Sequence, residues 1–165
     1  LAEVCGQTDT QIANINCPGQ LVISGAKENL TQAMDLAKTR GARHTIPLPV
    51  SGAFHTPLMQ PAVDGMAEII ATLSFDDPVI PIIGNTTAQP LTTADLIKEE
   101  LLRQLCNCVQ WQPSIEYMVN DGISTFIEIG PGRVLTGLIK RINKNVKTVN
   151  IGDVEAIGSL INPSP

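Results

Sequence analysis

The chain has two histidines, and one of them, His55, lies in the run PLPVSGAFHTPLM (residues 47–59), between a strand-like stretch and a helix start. In open α/β sheets the loop beyond a strand's carboxyl end is where catalytic groups collect. A neutral imidazole there can take a proton from a nucleophile and return it to a leaving group. A lone loop histidine also has a purely structural reading. A base needs a nucleophile, and the Gly-x-Ser-x-Gly elbow of α/β hydrolases does not occur: Ser24 lies in VISGA, Ser51 in VSGA, Ser124 in ISTF and Ser159 in IGSL. Cys106 and Cys108 are of a type that a histidine can activate, but nothing in the sequence brings either within reach of His55. No carboxylate presents itself as a third member.

Two further patterns bear on chemistry. Ile129-Gly130-Pro131-Gly132-Arg133 places glycines after a strand and before a helix, as phosphate loops do. It lacks both the Gly-Lys-Ser/Thr ending of a P-loop and the third glycine of a dinucleotide fingerprint, so a tight strand-to-helix turn is the better reading. The net charge is −5, yet five of the eleven basic residues (Arg133, Lys140, Arg141, Lys144 and Lys147) fall between Glu128 and Asp153, where no acidic residue occurs. Such a stretch attracts anionic partners, or forms an ordinary solvated face. Nucleic acid is a poor match, because the chain is acidic overall and no aromatics interleave with the cations.

The elements that must position these residues can be read from periodicity. IANIN (12–16) and LVISG (21–25), separated by a Pro-Gly turn signal, predict a hairpin. Leu30, Ala33, Met34 and Ala37 predict a helix that Gly41 stops. HTIPLPV (44–50) reads as a strand. This order of strand, strand, helix, strand matches the last four elements of a ferredoxin-like βαββαβ unit, which puts the remaining strand and helix before Leu1. Thr56 caps a helix with Pro57 at its first position, running to about Leu73. A short strand is expected over 78–85, a helix over 92–105 opened by Thr93, and another over about 113–120. Strand, Gly-Pro-Gly turn and helix follow over STFIEIGPGRVLTGLIKRI, then a strand over 146–152 and a short helix over VEAIGSLI. Alternation of this kind predicts a mostly parallel sheet with helices on its faces. The boundary between the two parts is placed at about Pro49–Val50.

Composition sets the outer limits. At 165 residues and 17.6 kDa, with 43% apolar and 16% charged residues, the chain can bury a proper core. Aromatics are only 3%, so that core is built from Leu, Ile, Val and Ala. No apolar run approaches the roughly 18 residues of a membrane span, and LAEVCGQTDT has no signal-peptide pattern. The four cysteines show no metal-ligand spacing, which favours buried, reduced thiols over zinc or disulfides.

Five ordered stretches together resemble the malonyl-CoA:acyl-carrier-protein transacylase family and the related acyltransferase domains of fatty-acid and polyketide synthases. They are NCPGQLVISG (16–25), LPVSGAFHTPLM (48–59), PIIGNTTAQP (81–90), RQLCNCVQW (103–111) and EIGPGRVLTGLIKRI (128–142). The fold this implies is α/β: residues 1–49 forming part of a small ferredoxin-like subdomain (ββαβ), and residues 50–165 the C-terminal part of a large α/β-hydrolase-like subdomain with a parallel sheet.

The resemblance also implies a reaction. In that family a serine in a Gly-His-Ser-x-Gly elbow attacks the thioester of malonyl-CoA, with a histidine as base, and the pantetheine thiol of acyl carrier protein takes the malonyl group from the serine. His55 matches the catalytic histidine. Gln104 matches the glutamine whose backbone carbonyl accepts the histidine's other ring proton, which would fix the tautomer without a carboxylate. Phe54 matches a specificity position where an Ala-Phe-His sequence goes with malonyl. Its ring leaves no room for an α-methyl group, a discrimination worth about 1–3 kcal/mol. Asn85 matches a position near the acyl pocket. Arg133, Lys140, Arg141 and Lys144 would then face acidic carrier protein or the phosphates of coenzyme A.

The family's serine, its carboxylate-binding arginine and its oxyanion-hole glutamine all precede the matched region. The expectation is therefore a C-terminal half that supplies the base, is inactive alone, and partners a missing N-terminal half. No metal and no cofactor are expected beyond the coenzyme A thioester as substrate, and the setting expected is the cytoplasm, or the plastid stroma for a plant source. Two other readings stand beside it: a non-catalytic module that binds carrier protein, and an acyltransferase domain within a polyketide synthase.

Overall fold

A computed structural model describes residues 1–154, 156 and 157. The expected helix over VEAIGSLI falls largely outside the described residues.

The first part of the chain runs helix, strand, strand, helix: α1 (Ala2–Thr8), β1 (Gln11–Cys17), β2 (Gln20–Ser24) and α2 (Lys27–Thr39). β1 and β2 form the expected antiparallel hairpin, closed by Pro18-Gly19 with Gly19 at φ 78. That backbone conformation is what a tight Pro-Gly turn requires at its second central position. α2 ends as expected, with Gly41 at φ 88 just past its cap. Its two buried alanines, Ala33 and Ala37, let α1 come close enough for Val4 to pack between them, with Ile23 and Leu36 at the edge of the cluster. Arg40 secures the far end, pairing with Glu3 at 3.0 Å and donating to Gln7 at 2.7 Å.

Two expectations for this part are corrected. A helix that the ferredoxin-like reading places before Leu1 is found within the chain, as α1. Its sequence hides it, because it is seven residues long, has Gly6 near its middle and carries no side-chain cap. Packing of Val4 on α2, rather than local propensity, holds it. The strand expected over 44–50 does not form either. Pro47 and Pro49 have no N–H to give a ladder, and Ile46, Leu48 and Val50 are 75%, 54% and 70% exposed.

Beyond this segment come a 3-10 turn at Pro57–Met59, α3 (Gln60–Thr72), β3 (Ile82–Ile83), β4 (Pro90–Leu91) and α4 (Ala94–Arg103). α5 (Trp111–Asn120), β5 (Thr125–Ile129), α6 (Val134–Ile142) and β6 (Lys147–Ile151) complete the described chain. Thr93 caps α4 as expected, its hydroxyl accepting from the Leu96 amide. β5 and β6 pair in parallel, in register from Thr125–Lys147 to Ile129–Ile151, with α6 as the crossover. Beneath them Ile115, Ile139 and Val146 form a core flanked by Trp111, Met118, Val119, Phe126 and Ile142.

The fold is α/β, but in place of one mostly parallel sheet the described residues form three two-stranded sheets, β5–β6 parallel and the other two antiparallel. The strand expected over 78–85 shrinks to β3, flanked upstream by Pro78 and Pro81, and pairs antiparallel with β4. Main-chain bonds from Gly84 to Gln89 (2.9 Å) and from Ala88 back to Gly84 (3.0 Å) close the intervening loop.

The boundary expected at Pro49–Val50 is spanned by contacts. The Val109 amide donates to Ala13 at 2.8 Å and its carbonyl accepts from Ile15 at 2.9 Å, a one-residue parallel bridge onto β1. Arg141 of α6 donates to Gln20 Oε1 (2.7 Å) and the Pro18 carbonyl (3.3 Å) in the hairpin turn.

Candidate active site

A helix leaves its last carbonyls without partners from its own ladder. At the C-cap of α4 and the residue just beyond it, two successive carbonyls are taken by one residue from far away in sequence. His55 Nδ1 lies 2.7 Å from the Gln104 carbonyl oxygen, and the His55 amide donates to the Leu105 carbonyl at 2.9 Å. A carbonyl can only accept, so Nδ1 carries the proton and a neutral ring presents its lone pair at Nε2. Among the described residues none hydrogen-bonds to Nε2.

The backbone of His55 is in the left-handed region, at φ 65. For a residue with a Cβ this costs on the order of 1–3 kcal/mol and persists only where the surroundings enforce it. The enforcement comes from Thr56, which is 2% exposed. Its hydroxyl donates to the Ala53 carbonyl at 2.7 Å and accepts from the Leu58 amide at 3.3 Å, clasping the loop on both sides of His55. Pro57 follows, opening the 3-10 turn that leads into α3. The histidine is therefore presented half-buried, with its polypeptide path fixed on either side.

Phe54 stands beside it, ring centroids 6.4 Å apart and planes tilted by 56°. Its ring lies against the Gly52 backbone, where a Cβ would fall 2.8 Å from Phe54 Cε2. Asn85, in the β3–β4 loop, donates from Nδ2 to Gln104 Oε1 at 2.8 Å, and its carbonyl accepts from the Gln110 amide at 2.7 Å. His55, Phe54, Gln104 and Asn85 thus come together in one cluster, and Gln104 is its hub: the backbone oxygen faces His55, the side-chain oxygen faces Asn85.

Sequence reasoning passes over Glu100. A glutamate in the run Lys98-Glu99-Glu100 reads as solvated face, yet this one is buried, one helical turn before Gln104. The only sequence signal is its i, i+4 spacing from Gln104.

The four cations do not form one patch. Arg133 is the N-cap of α6, while Lys140 and Arg141 are in its last turn and Lys144 is beyond it. The helix has nine residues, which separates its ends by about 13 Å. Lys140 donates to the Val146 carbonyl, and Arg141 is engaged with the hairpin turn. All four are exposed.

The Gly-Pro-Gly turn has its anion already. The Glu128 carboxylate of β5 accepts from the Leu135 and Thr136 amides at 3.0 and 2.8 Å, occupying the N-terminus of α6 where a phosphate would sit. The Thr136 side chain beside it, together with these amides and the Asn150 side chain, holds the carboxyl below the usual range against a smaller opposing effect of burial. This favours the turn reading over the phosphate-loop reading.

The cysteines are all free. Burial pushes the Cys108 thiol up, with a hydrogen bond to the Ile15 backbone pulling weakly the other way. A thiol so disposed is a poor nucleophile at neutral pH. Among the described residues there is no grouping of three or more metal-ligating side chains, and no helix is long and apolar enough to cross a membrane.

The family model described as acyl transferase domain matches residues 2–163. The malonyl CoA-acyl carrier protein transacylase of Bacillus subtilis (strain 168) is 45% identical over 147 residues, which are 89% of this chain and 46% of that protein. That of Escherichia coli (strain K12) is 40% identical over 148 residues, 90% of this chain and 48% of that protein. Among solved structures, the acyl-carrier-protein-S-malonyltransferase of Bartonella henselae superposes with a TM-score of 0.92 at 37% identity, covering 97% of this chain and 52% of the other. A type II PKS acyl-carrier protein in complex with its malonyl-transacylase gives 0.89 at 37% identity, covering 96% and 51%. The chain spans about half the length of the curated relatives it matches. On a family match running from residue 2 to residue 163, the chain belongs to the acyl transferase domain family.

Proposed function

We propose that this chain supplies the histidine base of a malonyl transferase, which moves a malonyl group from malonyl-CoA to the pantetheine thiol of acyl carrier protein in fatty-acid synthesis. The observation that carries the reading is the His55 Nδ1–Gln104 carbonyl contact of 2.7 Å, because it leaves Nε2 as the basic nitrogen.

A serine contributed by residues outside Leu1–Pro165 attacks the thioester carbonyl while its proton passes to His55 Nε2. The imidazolium so formed keeps its Nδ1 proton on the Gln104 carbonyl, whose dipole favours the charged ring without adding a fixed charge. The Nε2 proton then goes to the departing coenzyme A sulfur, leaving free coenzyme A and a malonyl-serine ester. In the second half the pantetheine thiol gives its proton to Nε2 and attacks that ester. The serine oxygen leaves and recovers the proton. Phe54 forms the wall that disfavours an α-methyl substituent, and Asn85 acts on the site through Gln104. The exposed cations Arg133, Lys140, Arg141 and Lys144 offer positive potential to an acidic carrier protein or to the phosphates of coenzyme A, with Arg133 set apart from the other three.

Intact-mass spectrometry after incubation with malonyl-CoA tests this. The chain alone should acquire no malonyl adduct. When the serine-bearing segment is supplied, that segment should be labelled, and His55→Ala should slow its labelling by about 10²–10⁴-fold. An adduct on this chain itself, at Cys106 or Cys108, would overturn the proposal.

A further inference from the structure

We propose that Glu100 is a positioning residue for His55, acting through the β3–β4 loop and Gln104; the inference rests on the reading of His55 as the base. Glu100 is the one charged residue buried among the described residues, at 7% exposure. No cation pairs with it among the described residues. Burying a carboxyl group is costly unless its oxygens are satisfied, and a well-packed apolar side chain would often serve stability as well.

Both oxygens are satisfied by a single residue. Oε1 accepts from the Thr86 amide and Oε2 from the Thr86 hydroxyl, each at 2.7 Å. The carboxyl group also lies close against the loop backbone: a Cβ on Gly84 would fall 3.1 Å from Oε2. Thr86 is the neighbour of Asn85, whose Nδ2 holds Gln104 Oε1 at 2.8 Å. Gln104 is in turn held from its own helix, its amide donating to the Glu100 carbonyl at 2.9 Å.

Glu100 therefore restrains Gln104 twice, through the helix backbone and, by way of Thr86 and Asn85, through the side-chain amide. What Gln104 presents between these restraints is the carbonyl that accepts the His55 Nδ1 proton. Without the carboxyl clamp, Thr86 and Asn85 lose their fixed position and Gln104 can turn. The His55 ring then loses its directed acceptor, and the Nε2–H tautomer, which has no lone pair at the nitrogen facing the chemistry, becomes populated.

Imidazole ¹⁵N–¹H long-range correlation spectra of the full chain read this directly, with the exposed His44 as an internal reference. In the unaltered chain His55 should be predominantly the Nδ1–H tautomer. Glu100→Ala should raise the ratio of Nε2–H to Nδ1–H several-fold at His55 and leave His44 unchanged. Glu100→Gln, which keeps one oxygen for Thr86 and can donate to its hydroxyl, should recover most of the original ratio. Thr86→Val, which removes only the hydroxyl, should fall between. An unchanged His55 ratio in Glu100→Ala, with amide resonances of residues 84–87 displaced, would overturn the proposal while leaving His55 as the base. If Glu100→Ala does not fold, an unchanged ratio in Thr86→Val has the same meaning. A predominantly Nε2–H His55 in the unaltered chain would overturn the base reading itself and this proposal with it.

Discussion

Replacing Thr56 by valine keeps the shape of the side chain and deletes only its hydroxyl, so the cost can be worked from two hydrogen bonds. The stronger is the 2.7 Å bond to the Ala53 carbonyl; the weaker is the 3.3 Å bond from the Leu58 amide, which caps the 3-10 turn. Thr56 is 2% exposed, so water cannot readily replace the lost partner. A buried polar group left unpaired costs about 1–3 kcal/mol, and loss of a hydroxyl cap about 0.5–2 kcal/mol. The long cap bond places its share at the low end, giving a total of about 2 kcal/mol, or about thirty-fold in the folding equilibrium. Urea unfolding followed by the fluorescence of Trp111, the only tryptophan, should show the midpoint lowered by about 1 M at unchanged slope, taking a slope of about 2 kcal/mol per M. Thr56→Ser is the matched control: it keeps the hydroxyl and loses a methyl, worth about 1 kcal/mol, and should fall between the two. A valine variant at least as stable as the serine variant would refute the idea that the hydroxyl clasp holds the strained His55 backbone.

Two further outcomes follow from the fold. Glu128 has its carboxyl held below the ordinary range in the folded chain, so the native state binds fewer protons than the unfolded state in that window. Its contribution is present above the ordinary carboxylate value of about pH 4 and is lost as pH falls through the depressed native value. The stability advantage of the unaltered chain over Glu128→Gln should therefore vanish on acidification, and Leu135 and Thr136 amide exchange should lose protection in the same range; an advantage unchanged by acid would count against the cap. In the core beneath β5–β6, Ile115 is 0% exposed and packs with Ile139 and Val146. Ile115→Ala should cost about 2–5 kcal/mol in urea unfolding, and a loss below about 1 kcal/mol would mean that this cluster is not a close-packed core.

What could be read from the sequence follows the range of the forces involved. The Pro18-Gly19 hairpin, the Thr93 cap, the helix stop before Gly41 and the β5–α6–β6 crossover are set by residues within a few positions of one another. All of these are where the pattern put them. α1 is held by a contact of Val4 with Ala33 and Ala37, some thirty residues away, which no local pattern displays. The segment 44–50 has strand composition, yet strand formation depends on a partner ladder, which its prolines oppose. In the site, His55 stands out by its place in the loop, whereas Phe54, Gln104 and Asn85 are singled out only by resemblance, and the structure brings all four together. Glu100 stayed hidden because its charge argues for solvent, and only the fold reveals that Thr86 turns towards it.

The bridge between Val109 and β1 has a different kind of consequence. Its two bonds, Val109 to Ala13 and Ile15 to Val109, use only main-chain atoms, so they impose almost no demand on which side chains occupy those positions. Drift at residues 13, 15 and 109 can alter what packs nearby while leaving the hairpin and the loop after α4 in the same mutual placement. Only proline at 15 or 109 would erase a donor. This link between the hairpin and the loop after α4 is thus written in a form that ordinary substitution barely touches, and it can persist while the residues around it change.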